Sequence, residues 1–547
     1  MSRKMSVKKT LIELEEELEQ IEEENKQRKP MDELITDVVT NGKYQILIML
    51  LFGVNFIFNA TYMMSNGLFF QTPGYECDGQ PCTEKDYCNG DYTDKQLTGV
   101  NSVTKALHLV CGKNYANAIG ESLPYIGSLI GLMVFMMLGD KIGRKPVLGM
   151  TLGICAIGSI LTICFENVVT IYTGMFLVGV GITPVGFIQI VILNEISTGH
   201  FRTFSMCFMY VCFAIGEMLI WPFSAIVEED WRLLYLFFLT IPYCVCFGIY
   251  FLVLETPKYL QPIDQQKTAE VLQKMADYNK QEVQITEKMI EKSDTLKQNS
   301  FDYTHLFRFR SLRGVSLAMC SLSFGIHALY YGMQVSLDLI GSQVAKNCFF
   351  VGIADFLGYV LSDIVCPKLP RKKNLVITLS IASILCFSFI FDPVPKECQP
   401  DDQTCPQKTI QIIQAMFARF VISFSFSFMI IWLNELYPTS IRSIGVGFVA
   451  AIGFLGAYVT PYIKQFSTDV LNLNFVILCG FFGVMGVASA FSQKETFGKP
   501  FKQEIDELTR RYSVRLSLNP RERGQSVKVK TDTETPLIKQ QTMSTVY

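Results

Sequence analysis

The sequence predicts an all-α integral membrane protein with twelve membrane helices in two pseudo-symmetric six-helix bundles. Three observations carry that prediction. Half of the 547 residues are hydrophobic and only 18% are charged, with a mean hydropathy of +0.28. That balance leaves too little polar surface to clothe soluble domains of this total length. Apolar runs close to the roughly 20 residues needed to cross hydrocarbon recur along the chain. Short motifs in the first half reappear in the second at a fixed spacing.

The first 43 residues open with Arg3, Lys4, Lys8 and Lys9, followed by the acidic run LEEELEQIEEEN. No apolar core of a signal peptide follows, so residues 1–43 read as a charged, mobile tail. The first six apolar runs fall at 44–69, 118–138, 147–165, 168–192, 204–226 and 233–254. They define an N-terminal bundle over 44–260 that carries a long loop at 70–117. A polar stretch, 261–313, comes next and holds the helix-like segments TAEVLQKMADY and DYTHLFRF. The second set falls at 314–334, 346–366, 374–391, 410–432, 444–463 and 473–491, within a C-terminal bundle over 314–500. Residues 501–547 are polar and read as disordered. Open strands cannot cross lipid, so segments of this length are helices.

Lys and Arg set the orientation. Lys141, Arg144 and Lys145 follow the second run, a basic series from Lys267 to Arg313 follows the sixth, and Lys368, Arg371, Lys372 and Lys373 follow the eighth. All lie on one side under an even count, which places both termini and the central stretch in the cytosol. The 17 Cys divide by this topology. Cys77, Cys82, Cys88 and Cys111 occupy the first outer loop, and Cys398 and Cys405 the loop after the ninth run. Even numbers in outer loops fit disulfides facing an oxidising compartment, with the pairing of the four left open. A four-Cys zinc site fits their irregular spacing poorly.

The repeat is specific. The fourth run ends NEISTGHFR and the tenth NELYPTSIR, so Glu195 and Glu435, and Arg202 and Arg442, are each 240 residues apart (435 − 195; 442 − 202). ETPKYL with Glu255 and ETFGKP with Glu495 repeat that offset (495 − 255). GDKIGRKP, with Gly139, Asp140, Gly143, Arg144 and Lys145, is echoed by KLPRKK around Arg371. There Pro370 replaces the glycine and the acid is missing. A duplicated six-helix unit is the layout in which a solute site lies near the midplane between halves.

GDKIGRKP resembles the signature of the major facilitator superfamily. Together with NEIS, ETPKYL, NELYPTSIR, ETFGKP and the Cys-bearing outer loop, it resembles the organic cation/anion transporter family within it, over residues 44–500. Sugar porters share several of these motifs and are the nearest rival. The resemblance implies a carrier for small organic ions working by alternating access; the outer cysteines suggest a cell-surface or secretory-pathway membrane, the plasma membrane before the others. It also implies that Asp140, Glu195, Glu255, Glu435 and Glu495 pair with Arg144, Arg202 and Arg442 to form an inner gate.

Ionisable residues within the runs are candidate functional groups. Asp355, in the eighth, matches the position where the family's cation carriers hold an acid. Glu217 in the fifth is buried by pattern, and Arg419 in the tenth matches a basic residue of the family, free to counter Asp355 or to hold an anion. Tyr330 and Tyr331 resemble cavity-lining tyrosines, with Gln334 and His327 on the same helix; His327 reads as a hydrogen-bonded core residue before a proton relay. Ser427 is a candidate hydrogen-bonding group, and Phe424, Phe426 and Phe428 read as packing and lipid-facing residues. Phe454 stands where the family often carries a charge that reports substrate sign, which leaves that sign open, tilted by Asp355 and the tyrosines towards cationic or zwitterionic solutes.

No nucleotide loop, catalytic constellation, metal site or cofactor motif is present in the sequence, and the net charge of −2 makes no case for nucleic acid. GVGIT, with Gly179 and Gly181, reads as a packing motif. The partners implied are a small organic solute, the lipid bilayer and, for uphill movement, a coupling ion such as the proton. A neutral-solute porter and a non-transporting receptor or assembly subunit are the alternatives.

Overall fold

A computed structural model describes residues 29–39, 42–227, 230–291, 302–308, 310–337, 344–365, 368–391, 406–437, 441–471 and 473–497. Eleven described helices are long and apolar enough to cross a membrane. In the first half they are Lys43–Met64, Tyr115–Ile142, Arg144–Cys164, Val168–Ile196, Gly199–Ile226 and Trp231–Leu252. In the second they are Leu312–Val335, Val344–Val365, Thr409–Leu436, Ile444–Phe466 and Phe475–Ser492. The expected ninth membrane helix forms as Arg371–Ser388 and packs against the tenth and twelfth. Its first turn is Arg371, Lys372 and Lys373, so its apolar length is shorter than that of the others.

Most helices extend a few residues beyond their apolar runs, because polar and basic residues form their terminal turns at the membrane surface. In the sixth helix, Pro242 lacks the N–H that would continue the ladder, and the chain widens to a π-turn at Leu236–Thr240 just before it. Glycines draw the second, third and fourth helices together. A Cβ on Gly179 would overlap the backbone of Pro124, and one on Gly181 would lie 2.6 Å from the Thr151 carbonyl. The packing role expected of GVGIT is what the contacts display.

The two halves meet along the second and eleventh helices and along the fifth and eighth. Ser122 and Tyr462 hydrogen-bond at 2.8 Å near the Cys-bearing end. Gln334 also ties the halves there, its amide donating to the Met64 carbonyl at 2.7 Å.

The outer loop is a small ordered unit. Strand Gly74–Cys77 pairs antiparallel with Gln80–Pro81 on one side and Lys95–Thr98 on the other. Disulfides join Cys77 to Cys82 and Cys88 to Cys111. Cys398 and Cys405 lie outside the described residues, as do the acidic run of the first 28 and the polar tail from residue 498.

The N-terminal segment departs from the mobile tail expected of it. Residues 29–39 are ordered against the central stretch and the motif-bearing ends of the helices. Leu34, Ile35 and Val39 are buried. The Lys29 amide donates to Met289 O at 2.9 Å, and Asn279 donates to Val39 O at 2.9 Å. Asn279 also accepts from the Tyr44 amide at 2.8 Å. The expected helix in TAEVLQKMADY forms as Gln265–Tyr278, capped by Asp264, and DYTHLFRF contributes Tyr303–Arg308.

Candidate functional site

Sixteen residues line a central cavity between the halves. Phe56, Asn59 and Met63 come from the first helix, Thr183, Gly186, Phe187 and Ile190 from the fourth, and Tyr210 and Phe213 from the fifth. The second half supplies His327, Tyr330 and Tyr331 from the seventh helix, Tyr359 from the eighth, Phe426 and Ile430 from the tenth, and Phe454 from the eleventh. Nine of these are Phe or Tyr, and none is an acid, Lys or Arg. The rings interlock: His327 lies 4.9 Å from Phe426 and 5.1 Å from Phe454, and Tyr331 lies 5.8 Å from Phe454. His327 also contacts the Ser323 carbonyl through Nδ1 at 2.8 Å, so it is both a hydrogen-bonded core residue and part of the wall.

Tyr330, Tyr331 and Phe454, candidates from the sequence, line this cavity. Phe426 does not match its reading as a packing residue, since alternate positions of SFSFSF face different ways along the helix. Gln334 and Ser427 are buried but do not line the cavity. Gln334 faces the first helix, as its bond to Met64 requires.

Asp355, Arg419 and Glu217 also stand outside the cavity lining, as a fully buried cluster behind Tyr330. Arg419 Nε donates to Asp355 Oδ1 at 3.0 Å, and Nη2 to Oδ2 at 3.2 Å. Tyr330 donates its hydroxyl to Asp355 Oδ2 at 2.6 Å, and Ser423 donates to Oδ1. Tyr359 completes the chain, donating to the Tyr330 hydroxyl at 3.4 Å. The Arg419 guanidinium sits 3.3 Å from the Tyr330 ring centre and donates to that residue's carbonyl. Glu217 approaches Arg419 at 3.6 Å from the other half. Tyr330 thus stands between Asp355 and the cavity. Removing one member of such a buried pair typically costs about 3–5 kcal/mol, since the survivor keeps its charge without a partner.

At the motif-bearing end the two halves build the same arrangement. Arg144 donates to Glu195 Oε1 from Nη2 at 3.0 Å and to the Gly139 carbonyl at 2.8 Å. Arg371 donates to Glu435 Oε1 at 2.9 Å and to the Leu369 carbonyl at 2.9 Å. Glu255 accepts the backbone N–H of Arg144 at 3.0 Å and of Lys145 at 3.2 Å. Glu495 accepts those of Arg371 and Lys372 at 2.9 and 3.0 Å. Thr256 and Thr496 donate to Glu195 and Glu435 at 2.5 and 2.7 Å. Burial opposes ionisation of Glu495, but backbone donors from Phe497, Arg371, Lys372 and Thr496 outweigh it and hold the carboxyl below its ordinary 4.5. Asp140 adds a contact to Arg144 at 3.0 Å, and the sequence of the matching motif carries no acid at that place.

Arg202 does not join this network. It pairs with Asp32 of the N-terminal segment at 2.7 Å, and Lys258 reaches the same Asp32 oxygen at 2.6 Å. The side chain of Arg442 lies outside the described residues. Among the described residues no group of three or more His, Cys, Asp or Glu is placed to hold a metal ion.

A family described as "Sugar (and other) transporter" matches residues 44–508. The chain belongs to that family. Human "Organic cation/carnitine transporter 2" is 26% identical over 449 residues, spanning 80% of this chain and 77% of the relative. A Drosophila melanogaster "Organic cation transporter protein" is 23% identical over 531 residues, spanning 87% and 94%. Among solved structures, the inward-open xylose transporter XylE from E. coli superposes with a TM-score of 0.58 at 16% identity, covering 84% of this chain and 98% of that one. The transporter family member described here is an integral membrane carrier with the major facilitator fold.

Proposed function

We propose that the protein carries small organic cations or zwitterions across the plasma membrane by alternating access of its two halves, with both termini in the cytosol. The observation that carries this reading is the ring-lined cavity backed by two carboxylates and one guanidinium. Aromatic faces attract quaternary ammonium groups by roughly 0.5–2 kcal/mol per well-placed ring. When ionised, the second acid behind Tyr330 adds a negative field to a wall that has no charge of its own. The sequence relatives, named as organic cation transporters, point the same way. The ion pairs at the motif-bearing end act as the inner gate, holding each half's helices together while the cytosolic side is closed and parting when it opens.

The test is uptake of tetraethylammonium and of an organic sulfate, side by side, in cells expressing wild type or Asp355→Asn. Saturable cation uptake that is lost in the variant is the expected result. Linear, unsaturable uptake would remove the carrier reading, and sulfate uptake in place of cation uptake would reverse the sign of the substrate.

One observation favours a second reading. The uncharged lining includes Asn59 and Thr183, which suit a hydroxylated neutral solute. Hexose competition against the taken-up probe distinguishes it.

A further inference from the structure

The fifth membrane helix buries a carboxyl group that the rest of the fold leaves without a donor. Glu217 has no exposed surface, and neither of its oxygens accepts a hydrogen bond among the described residues. Arg419 approaches it at 3.6 Å, but that guanidinium is already bound to Asp355 and to the Tyr330 carbonyl. Asp355, by contrast, is fully supplied, with Tyr330 and Ser423 donating in addition to Arg419. Two buried carboxyl groups share one cation, and hydrogen-bond donors serve only one of them.

Such a site does not hold two negative charges at low cost. A buried carboxylate without donors is far less stable than its protonated form, and two neighbouring acids facing one base take up a proton between them. The donor inventory assigns that proton to Glu217. The charged and titratable groups that face it are Asp355, Cys348 and Tyr359 from the eighth helix, Tyr330 and Tyr331 from the seventh, and Arg419 from the tenth. All six belong to the second half, whereas Glu217 belongs to the first, so the cluster straddles the seam along which the halves part.

We propose that Glu217 is a coupling-proton site: it holds one proton while the halves are closed around it and gives that proton to water when they separate, in exchange for an organic cation. This rests on the carrier reading above. The exchange direction follows from linkage. A cation in the cavity, on the far side of Tyr330, stabilises ionised Glu217, and a proton on Glu217 weakens the hold on the cation by the same factor. The two occupants therefore compete, and each half-cycle carries one or the other.

Two measurements on the purified full-length protein test this separately. Infrared difference spectra of wild type at neutral pH should contain a carboxylic-acid C=O band that is absent from Glu217→Gln. Absence of any Glu217-dependent band overturns the proposal whatever the substrate is. In proteoliposomes an inside-acid gradient should raise initial tetraethylammonium uptake several-fold over uptake without a gradient, and this ratio should fall to one in Glu217→Gln. A wild-type ratio of one overturns the coupling while leaving the carrier reading intact. A Glu217-dependent band with no tetraethylammonium uptake supports the proton site and overturns the cationic substrate.

Discussion

Arg371 grips Glu435 at 2.9 Å although the motif around Arg371 has lost both its glycine and its acid. The first-half pair, Arg144 and Glu195, lies at 3.0 Å with matching threonine and backbone contacts, although Arg144 binds the carbonyl five residues back and Arg371 the one two residues back. What the second copy keeps is the arginine, the two glutamates and the threonine, and those suffice for the geometry.

Arg371→Ala should therefore destabilise the protein about as much as Arg144→Ala. Each loses charge-assisted hydrogen bonds from a side chain 11% exposed, worth on the order of 2 kcal/mol. Thermal unfolding in detergent checks this. An Arg371 variant as stable as wild type would mean that the second-half network holds nothing together.

Gly143→Ala should fail where Pro370→Ala is tolerated. Gly143 has φ of +107°, a region β-carbon-bearing residues avoid, and a Cβ there would run into the Glu255 carboxylate. Pro370 sits in ordinary extended geometry at the matching place, with φ of −61°. Surface expression of the two variants should separate cleanly.

The docking of residues 29–39 should be insensitive to pH until the solution becomes strongly acidic. Burial works against ionisation of Asp32, but Lys258 and then Arg202 outweigh it and hold its carboxyl below the ordinary 3.8. A depressed carboxyl contributes its stabilisation above the unfolded value and loses it as pH falls through the folded one. Hydrogen exchange over 31–39 should rise only below about pH 4, and Asp32→Asn should show the faster exchange already at neutral pH.

Phe454→Leu keeps an apolar wall of similar bulk but removes a ring face. If cations rest on that face, the half-saturating concentration of tetraethylammonium should rise roughly 2- to 30-fold, the equivalent of about 0.5–2 kcal/mol. Transport that is unchanged would place the solute elsewhere in the cavity.

The membrane helices and the repeated Arg and Glu motifs were legible because hydropathy and a fixed spacing encode them directly, but Arg202, expected in the inner network, pairs elsewhere. The pairing of Asp355 with Arg419 was open as one of two roles, and the two side chains are bonded at 3.0 Å behind Tyr330. The cavity wall was harder to see. Phe56, Asn59, Thr183 and Tyr210 lie on helices that are apolar all round, so periodicity does not separate the face towards lipid from the face towards the cavity. Four cysteines allow three pairings, and the observed one depends on the strand at Gly74–Cys77, which brings Cys77 back beside Cys82. The bond between Asp32 and Arg202 joins residues 170 apart that share no motif.

The central stretch is fastened at its two ends to different partners. Asn279, after its long helix, is tied to Val39, Tyr44 and Gln45 of the first half. Tyr303 and Phe307 pack against Phe448 of the eleventh helix, at 5.4 and 5.5 Å, and a hydroxyl bond from Tyr303 to the Met133 carbonyl at 2.5 Å reaches the first half. A spectroscopic label on the helix Gln265–Tyr278 therefore rides with one half, and a label on Tyr303–Arg308 rides largely with the other. The distance between the two is a built-in ruler, readable at the motif-bearing end without a substrate or any probe inside the membrane.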